Sequence, residues 1–250
     1  LVECSSELAP SVCTLFNKSL SSGVLPELWK EALVIPIHKK GDKELVENYR
    51  PISLLCILSK VLERCIFNRL IKHLSSSLSS WQHGFLSGRS TVTQMLCFLH
   101  RIGQALDNSL QSEIVYLDLS KAFDTVSHSL LLQKLAAAGV NGSLFQWFND
   151  YLTNRSQKVL IKGATSSSLP VLSGVPQGSI LGPLLFLWYI NDLPDELSSS
   201  TLAFLFADDT KLVRIIHSES DMTTFQQDID KVFDWSTKWR MKFNLDKCEA

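Results

Sequence analysis

The chain has 250 residues, 45% of them hydrophobic, with a formal net charge of −1 and six cysteines. That length and apolar content support one large domain or two closely packed subdomains, and they exclude a disordered chain. The near-neutral balance excludes a uniformly basic nucleic-acid binder, so any such surface is a local basic patch offset by acids elsewhere. In chain order, a helix is predicted over residues 7–20, a break at Gly23-Val24-Leu25-Pro26, a strand over 32–37 and a basic turn over 38–43. A long helix follows, with Leu58, Val61, Leu62, Cys65, Ile66 and Leu70 at i, i+3, i+4 spacing and Ser53 as its cap, and residues 75–80 end it.

A further helix over 90–105 leads into the apolar run Ile114-Val115-Tyr116-Leu117, read as a strand buried on both faces and closed by Asp118. Helices over 129–138 and 143–152 come next, then strands over 157–162 and 169–172 joined by a polar turn. Pro176-Gln177-Gly178 opens a helix to about Asn191, and strands over 202–207 and 211–215 form a hairpin around Asp208-Asp209. A final amphipathic helix uses Met222, Phe225, Ile229, Val232 and Phe233, and Trp235 and Trp239 read as packing residues. No internal repeat or long linker is visible.

The cysteines Cys4, Cys13, Cys56, Cys65, Cys97 and Cys248 show neither C-x-x-C spacing nor nearby histidine pairs, so they read as free thiols in a reducing compartment. The longest apolar run, 180–190, contains Gly182 and Pro183 and falls short of the roughly 20 residues that span a bilayer, so no membrane partner is expected. The chain starts at Leu1 and ends as a new element begins, which reads as an excerpt of a longer protein.

The chemistry concentrates at Asp208-Asp209. Two adjacent carboxylates on a tight turn repel by roughly 3 kcal/mol at about 5 Å and an effective dielectric near 20, which calls for a cation. An unpaired Asp118 at the end of an apolar strand is costly for the same reason. If Asp118 lies beside the turn, three acids from two strands make a site for two divalent ions about 4 Å apart, the arrangement used for in-line attack of a hydroxyl on a phosphate.

Six ordered blocks carry a resemblance over nearly the whole chain: Val34 to Asp42, Asn48-Tyr49-Arg50-Pro51-Ile52-Ser53-Leu54-Leu55, Gln82-His83-Gly84-Phe85, Tyr116 to Asp124, Ser173 to Ser179, and Phe206-Ala207-Asp208-Asp209. With them the chain resembles the reverse transcriptase domain of non-LTR (LINE-type) retrotransposons of the jockey-like branch. The resemblance implies an α/β (α+β) right-hand polymerase fold, with fingers mainly in about 1–110, a palm with a small antiparallel sheet in about 111–250, and no thumb in this chain. It implies an RNA template, a DNA primer, dNTP substrates and Mg²⁺, two ions, with Mn²⁺ as a substitute. Other regions of a parent polyprotein, a thumb and an endonuclease among them, and nuclear action are implied by the family alone.

By the same resemblance Asp118, Asp208 and Asp209 are metal-binding, with Asp208 the stronger ligand because alternate strand residues face opposite sides. Phe123 is either the ring that excludes a ribose 2′-hydroxyl or a core aromatic. Gln177 and Gly178 lie along the nucleotide, and Lys39, Lys40 and Arg50 hold the triphosphate, with the choice between the two lysines open. Gln82, Gly84, Phe85 and Arg89 are linked to template handling, or to anchoring of their loop. Lys247 matches a lysine that protonates the departing pyrophosphate. Asp124 reads as structural. The rival readings are a degenerate or domesticated RNA-binding copy without catalysis, and an RNA-directed RNA polymerase.

Overall fold

The computed structural model describes residues 3–250. Helix α1 (Ser5–Ser22) leads to β1 (Glu31–His38), β2 (Tyr49–Leu54) and α2 (Ile57–Leu74). Next come α3 (Thr91–Asp107), β3 (Gln111–Leu117), the single turn α4 (Ala122–Thr125), α5 (His128–Ala137) and α6 (Gly142–Leu152). Then follow β4 (Arg155–Ile161), β5 (Ala164–Thr165), β6 (Leu169–Val171), α7 (Leu181–Tyr189), β7 (Thr201–Phe206), β8 (Asp209–Ile216) and α8 (Glu219–Lys238). The chain forms two units, each assembled from two separate segments: everything up to Ile71 with His128–Gly182, and Lys72–Ser127 with Pro183–Ala250. No helix among the described residues is long and apolar enough to cross a membrane.

The first unit is built on a mixed sheet in the order β2-β1-β4-β5, with β6 also on β4. Strand β1 runs antiparallel to β2 and parallel to β4. The sequence reading had no strand at 49–54 and used Ser53 as a helix cap; instead Ser53 lies inside β2 opposite Val34, and α2 starts at Ile57. The cause is an edge: Pro51 faces Pro36 where β4 no longer pairs with β1, and a proline is tolerated where no ladder donor is needed. Helix α2 also differs from its predicted face. Leu62, Ile66 and Leu70 are buried as expected, but Val61 and Cys65 face outward and Glu63 is fully buried. Helix α6 adds Trp147, Phe148, Tyr151 and Leu152 to this core, and Trp147 donates its indole N–H to Ser19 Oγ at 3.0 Å.

In the second unit β3, β8 and β7 form an antiparallel sheet in that order. Helix α3, started by a reciprocal Ser90/Thr93 capping box, lays Phe98 edge-on against Phe204 at 5.6 Å and over Val213. On the opposite face the buried Arg214 pairs with Asp221 of α8 at 2.8 Å. Helices therefore cover both faces, because β7 and β8 are apolar on both sides of the pleat. Strand β3 departs from the burial on both faces expected of it. It is an edge strand with Tyr116 exposed and Ile114 and Val115 half-buried, since among the described residues its outer side meets only a bridge to Glu249. On α8, Phe225, Val232 and Trp235 turn inward while Met222 and Phe233 stay exposed.

Candidate active site

Strand register brings the acids of the second unit together. Leu117 pairs with Thr210, so one step further along the same ladder sets Asp118 opposite Asp209. Phe206 pairs with Asp209, leaving Ala207 and Asp208 as a two-residue hairpin loop. Ala207 has a φ of +55°, the positive value at the first loop position that a tight hairpin needs, and one that costs an alanine about 1–2 kcal/mol. Asp118 and Asp209 both line a cavity of about 330 Å³ whose opposite wall is Thr91, Gln94 and Met95 of α3. Asp208 sits in the turn itself, half-buried.

Lys247 reaches the same cavity and its ammonium lies 2.7 Å from Asp118 Oδ2. Its backbone is held by a short helical turn, by Asn244 N–H donating to the Asp118 carbonyl at 2.8 Å, and by the reciprocal Tyr116–Glu249 pair. A second cation was not anticipated. Lys211 lines the cavity two residues after Asp209, on the same side of the strand, and donates to Gln94 Oε1 at 3.1 Å. Burial lowers its pKa, and the neighbouring Asp209 pulls in the opposite sense. The period-two spacing from Asp209 to Lys211 was the available signal.

Phe123, in α4, stacks on Phe186 at 4.4 Å and meets Phe85 edge-on at 5.9 Å. A ring held by two others is stiff, and it remains partly accessible. Phe85 is 56% exposed with a φ of +56°. Gln82 is buried, and its amide bonds the backbone of Ala207. Arg89 donates to the carbonyls of Ser80 at 2.8 Å and of Gln82, so its guanidinium anchors its own loop.

The remaining candidates belong to the first unit. Lys39, Lys40 and Arg50 are exposed at the loop end of the β1–β2 hairpin, where Arg50 pairs with Ile37 and Lys39 N–H donates to the Asn48 carbonyl at 2.8 Å. Ser53 N–H donates to the Gln177 carbonyl at 2.8 Å. Gly178, with a φ of +112°, passes so close to β2 that an added Cβ would lie 2.6 Å from the Ser53 carbonyl oxygen. This segment ends in the N-terminus of α7, where Glu63 Oε2 accepts from Ile180 N–H at 2.8 Å and Leu181 N–H at 3.1 Å. Burial raises the Glu63 pKa, and its bonds from the Leu181 and Ile180 N–H groups and the nearby Arg155 charge oppose that rise. His128 supports the other side through a 2.8 Å bond to the Gly174 carbonyl.

The family model for "Reverse transcriptase (RNA-dependent DNA polymerase)" matches residues 37–250. The RNA-directed DNA polymerase from mobile element jockey of Drosophila melanogaster is 33% identical over 94% of this chain and 26% of its own length. The probable RNA-directed DNA polymerase from transposon BS of the same organism is 35% identical over 93% of this chain and 27% of its own. The chain thus spans about a quarter of the length of these curated relatives. Among solved structures, apo telomerase from Candida tropicalis superposes with a TM-score of 0.64 at 12% identity, over 97% of this chain and 49% of that one, a likeness of fold.

Proposed function

The chain belongs to the reverse transcriptase (RNA-dependent DNA polymerase) family, and on that premise we propose that it catalyses template-directed transfer of a deoxynucleotide to a primer 3′-hydroxyl, on an RNA template, as part of retrotransposition. The observation that carries this reading is the register of β3 on β8, which sets Asp118 against Asp209 on one cavity beside the Asp208 turn. The sheet that holds these acids is the palm sheet of the proposal, and the β1–β2 end with Lys39, Lys40 and Arg50 belongs to the fingers. A thumb, and any endonuclease, would come from other regions of a longer parent protein.

The donor set suits Mg²⁺. Among the described residues no group of three His, Cys, Asp or Glu side chains forms a ready-made metal cage. Magnesium does not need one, since it retains waters and binds through one or two carboxylates together with substrate phosphates. Asp118 and Asp209 supply hard oxygen donors on one cavity, and Asp208 is the third candidate, from the turn. When bound, Mg²⁺ supplies charge stabilisation to the attacking hydroxyl and the departing pyrophosphate, with a two-ion arrangement as the fuller form of the proposal. Lys247, whose ammonium reaches the cavity of the acids, is the candidate proton donor to the pyrophosphate.

In the first unit Arg50 offers a planar fork to the triphosphate and Lys39 or Lys40 a point charge. Gln177 and Gly178 present backbone close to the nucleotide, held at that position by Ser53. Phe123, stiffened by Phe186, would meet a ribose 2′-hydroxyl. Primer extension by the longer parent protein, comparing RNA with DNA templates and dNTPs with rNTPs, tests the proposal. Extension of a DNA primer with dNTPs on RNA is the expected result. Preferential rNTP use would identify an RNA polymerase, and RNA binding without extension would identify a non-catalytic binding copy.

A further inference from the structure

We propose that Gln82 is a positioning residue that clamps the Asp208–Asp209 turn and does not contact the template; the inference rests on the polymerase reading above. Residues 81–83 lie along the outer edge of β7: Leu205 N–H donates to the Trp81 carbonyl at 3.1 Å and His83 N–H to the Leu205 carbonyl at 2.9 Å. That places Gln82 beside the hairpin loop, 3% exposed. Its side-chain amide then grips one residue at both ends. Oε1 accepts from Ala207 N–H at 2.8 Å while Nε2 donates to the Ala207 carbonyl at 3.2 Å, and Oε1 also takes Gly84 N–H at 2.7 Å.

A carboxamide offers a donor and an acceptor with this spacing, and at any pH. The residue gripped is the one with φ +55°, and the next two in the chain are Asp208 and Asp209. Gly84 completes the fit, because an added Cβ would be driven into the Ala207 backbone nitrogen and would lie 2.9 Å from its Cα. The clamp is itself anchored: Arg89 binds the carbonyls of Ser80 and Gln82, and His83 Nδ1 pairs with Thr93 Oγ1 at 2.8 Å. Both polar atoms of the Gln82 side chain bond the turn or its own loop, and the residue is too deeply buried to present them to a template.

The test replaces Gln82 by Met, which keeps the length and removes all three bonds, and by Glu, which keeps the acceptor and loses the donor to the Ala207 carbonyl. Amide hydrogen exchange of Ala207, extension kinetics and the half-saturating Mg²⁺ concentration are measured on each. For Gln82→Met the expected result is exchange at Ala207 faster by about 10-fold or more, with Leu212 unchanged. With it, kcat should fall by about 30-fold and half-saturating Mg²⁺ should rise several-fold, while KM for template stays within about twofold. Gln82→Glu should fall between Met and the natural residue in exchange, and Ala207→Gly in the Met variant should recover part of kcat by relieving the positive φ. A raised template KM with kcat intact, or unchanged exchange at Ala207, would overturn the clamp. If the unsubstituted parent protein extends no primer, the polymerase reading fails, whereas exchange at Ala207 still decides whether the clamp exists.

Discussion

Replacing Glu63 by Ala and by Gln separates two roles for a buried acid. The alanine variant strands the N–H groups of Ile180 and Leu181, now held at 2.8 and 3.1 Å by one carboxylate oxygen that no solvent reaches. Each unsatisfied buried donor costs about 1–3 kcal/mol, so Glu63→Ala should destabilise the first unit by about 2–6 kcal/mol. Glu63→Gln keeps a carbonyl oxygen at the same place and loses the charge at a helix N-terminus, worth about 0.3–1 kcal/mol, while removing the cost of burying that charge. It should stay within about 1.5 kcal/mol of the natural chain. The sign of the pH effect follows from the raised pKa. The folded state favours the protonated acid, so this group's contribution to stability is full below its ordinary value of 4.5 and is lost as pH rises through the folded value. The glutamine variant should lack that slope. Urea unfolding followed by the fluorescence of buried Trp147, in the same unit, reads both effects. An alanine variant within about 0.5 kcal/mol of the natural chain, or a glutamine variant as damaged as the alanine one, would refute the reasoning.

Three further outcomes follow from the same structure. Gly178→Ala forces a side chain into a φ of +112° with the Ser53 carbonyl 2.6 Å away, and should cost at least about 2 kcal/mol by urea unfolding together with a raised dNTP KM. Phe123→Ala should raise ribonucleotide incorporation relative to deoxynucleotide by about 10-fold in competition assays, and unchanged discrimination would leave Phe123 as a packing residue only. The Arg214 guanidinium holds the Asp221 carboxyl down at about 2 from an ordinary 3.8. Its contribution is therefore present above about pH 4 and lost as pH falls toward 2. Asp221→Asn should flatten the acid limb of thermal stability in that window.

The hairpin and the strand carrying Asp118 were legible because apolar runs bounded by acids leave few alternatives, and the register that makes them neighbours follows from the pairing of two such strands. Strand β2 was not, since Tyr49-Arg50-Pro51-Ile52-Ser53-Leu54 carries a proline that only an edge position permits, and sequence does not announce edges. Glu63, an acid inside a helix, carries no local sign of burial. It is buried because it serves a helix terminus 117 residues later in the chain, a contact no local pattern encodes. Gln82 shows the same limit: the motif identified the segment, but its bonds to Ala207, 125 residues away, are visible only in three dimensions. Lys247 was placed by motif, and the structure adds its 2.7 Å pairing with Asp118.

The most direct test of the account is the rate of single-nucleotide extension on an RNA template by Asp118→Asn, an isosteric change at the acid that the β3–β8 register sets opposite Asp209. A loss of about 1,000-fold in kcat with primer-template affinity retained is the predicted result. Extension within about 10-fold of the unsubstituted chain would contradict the claim that these acids form the catalytic centre.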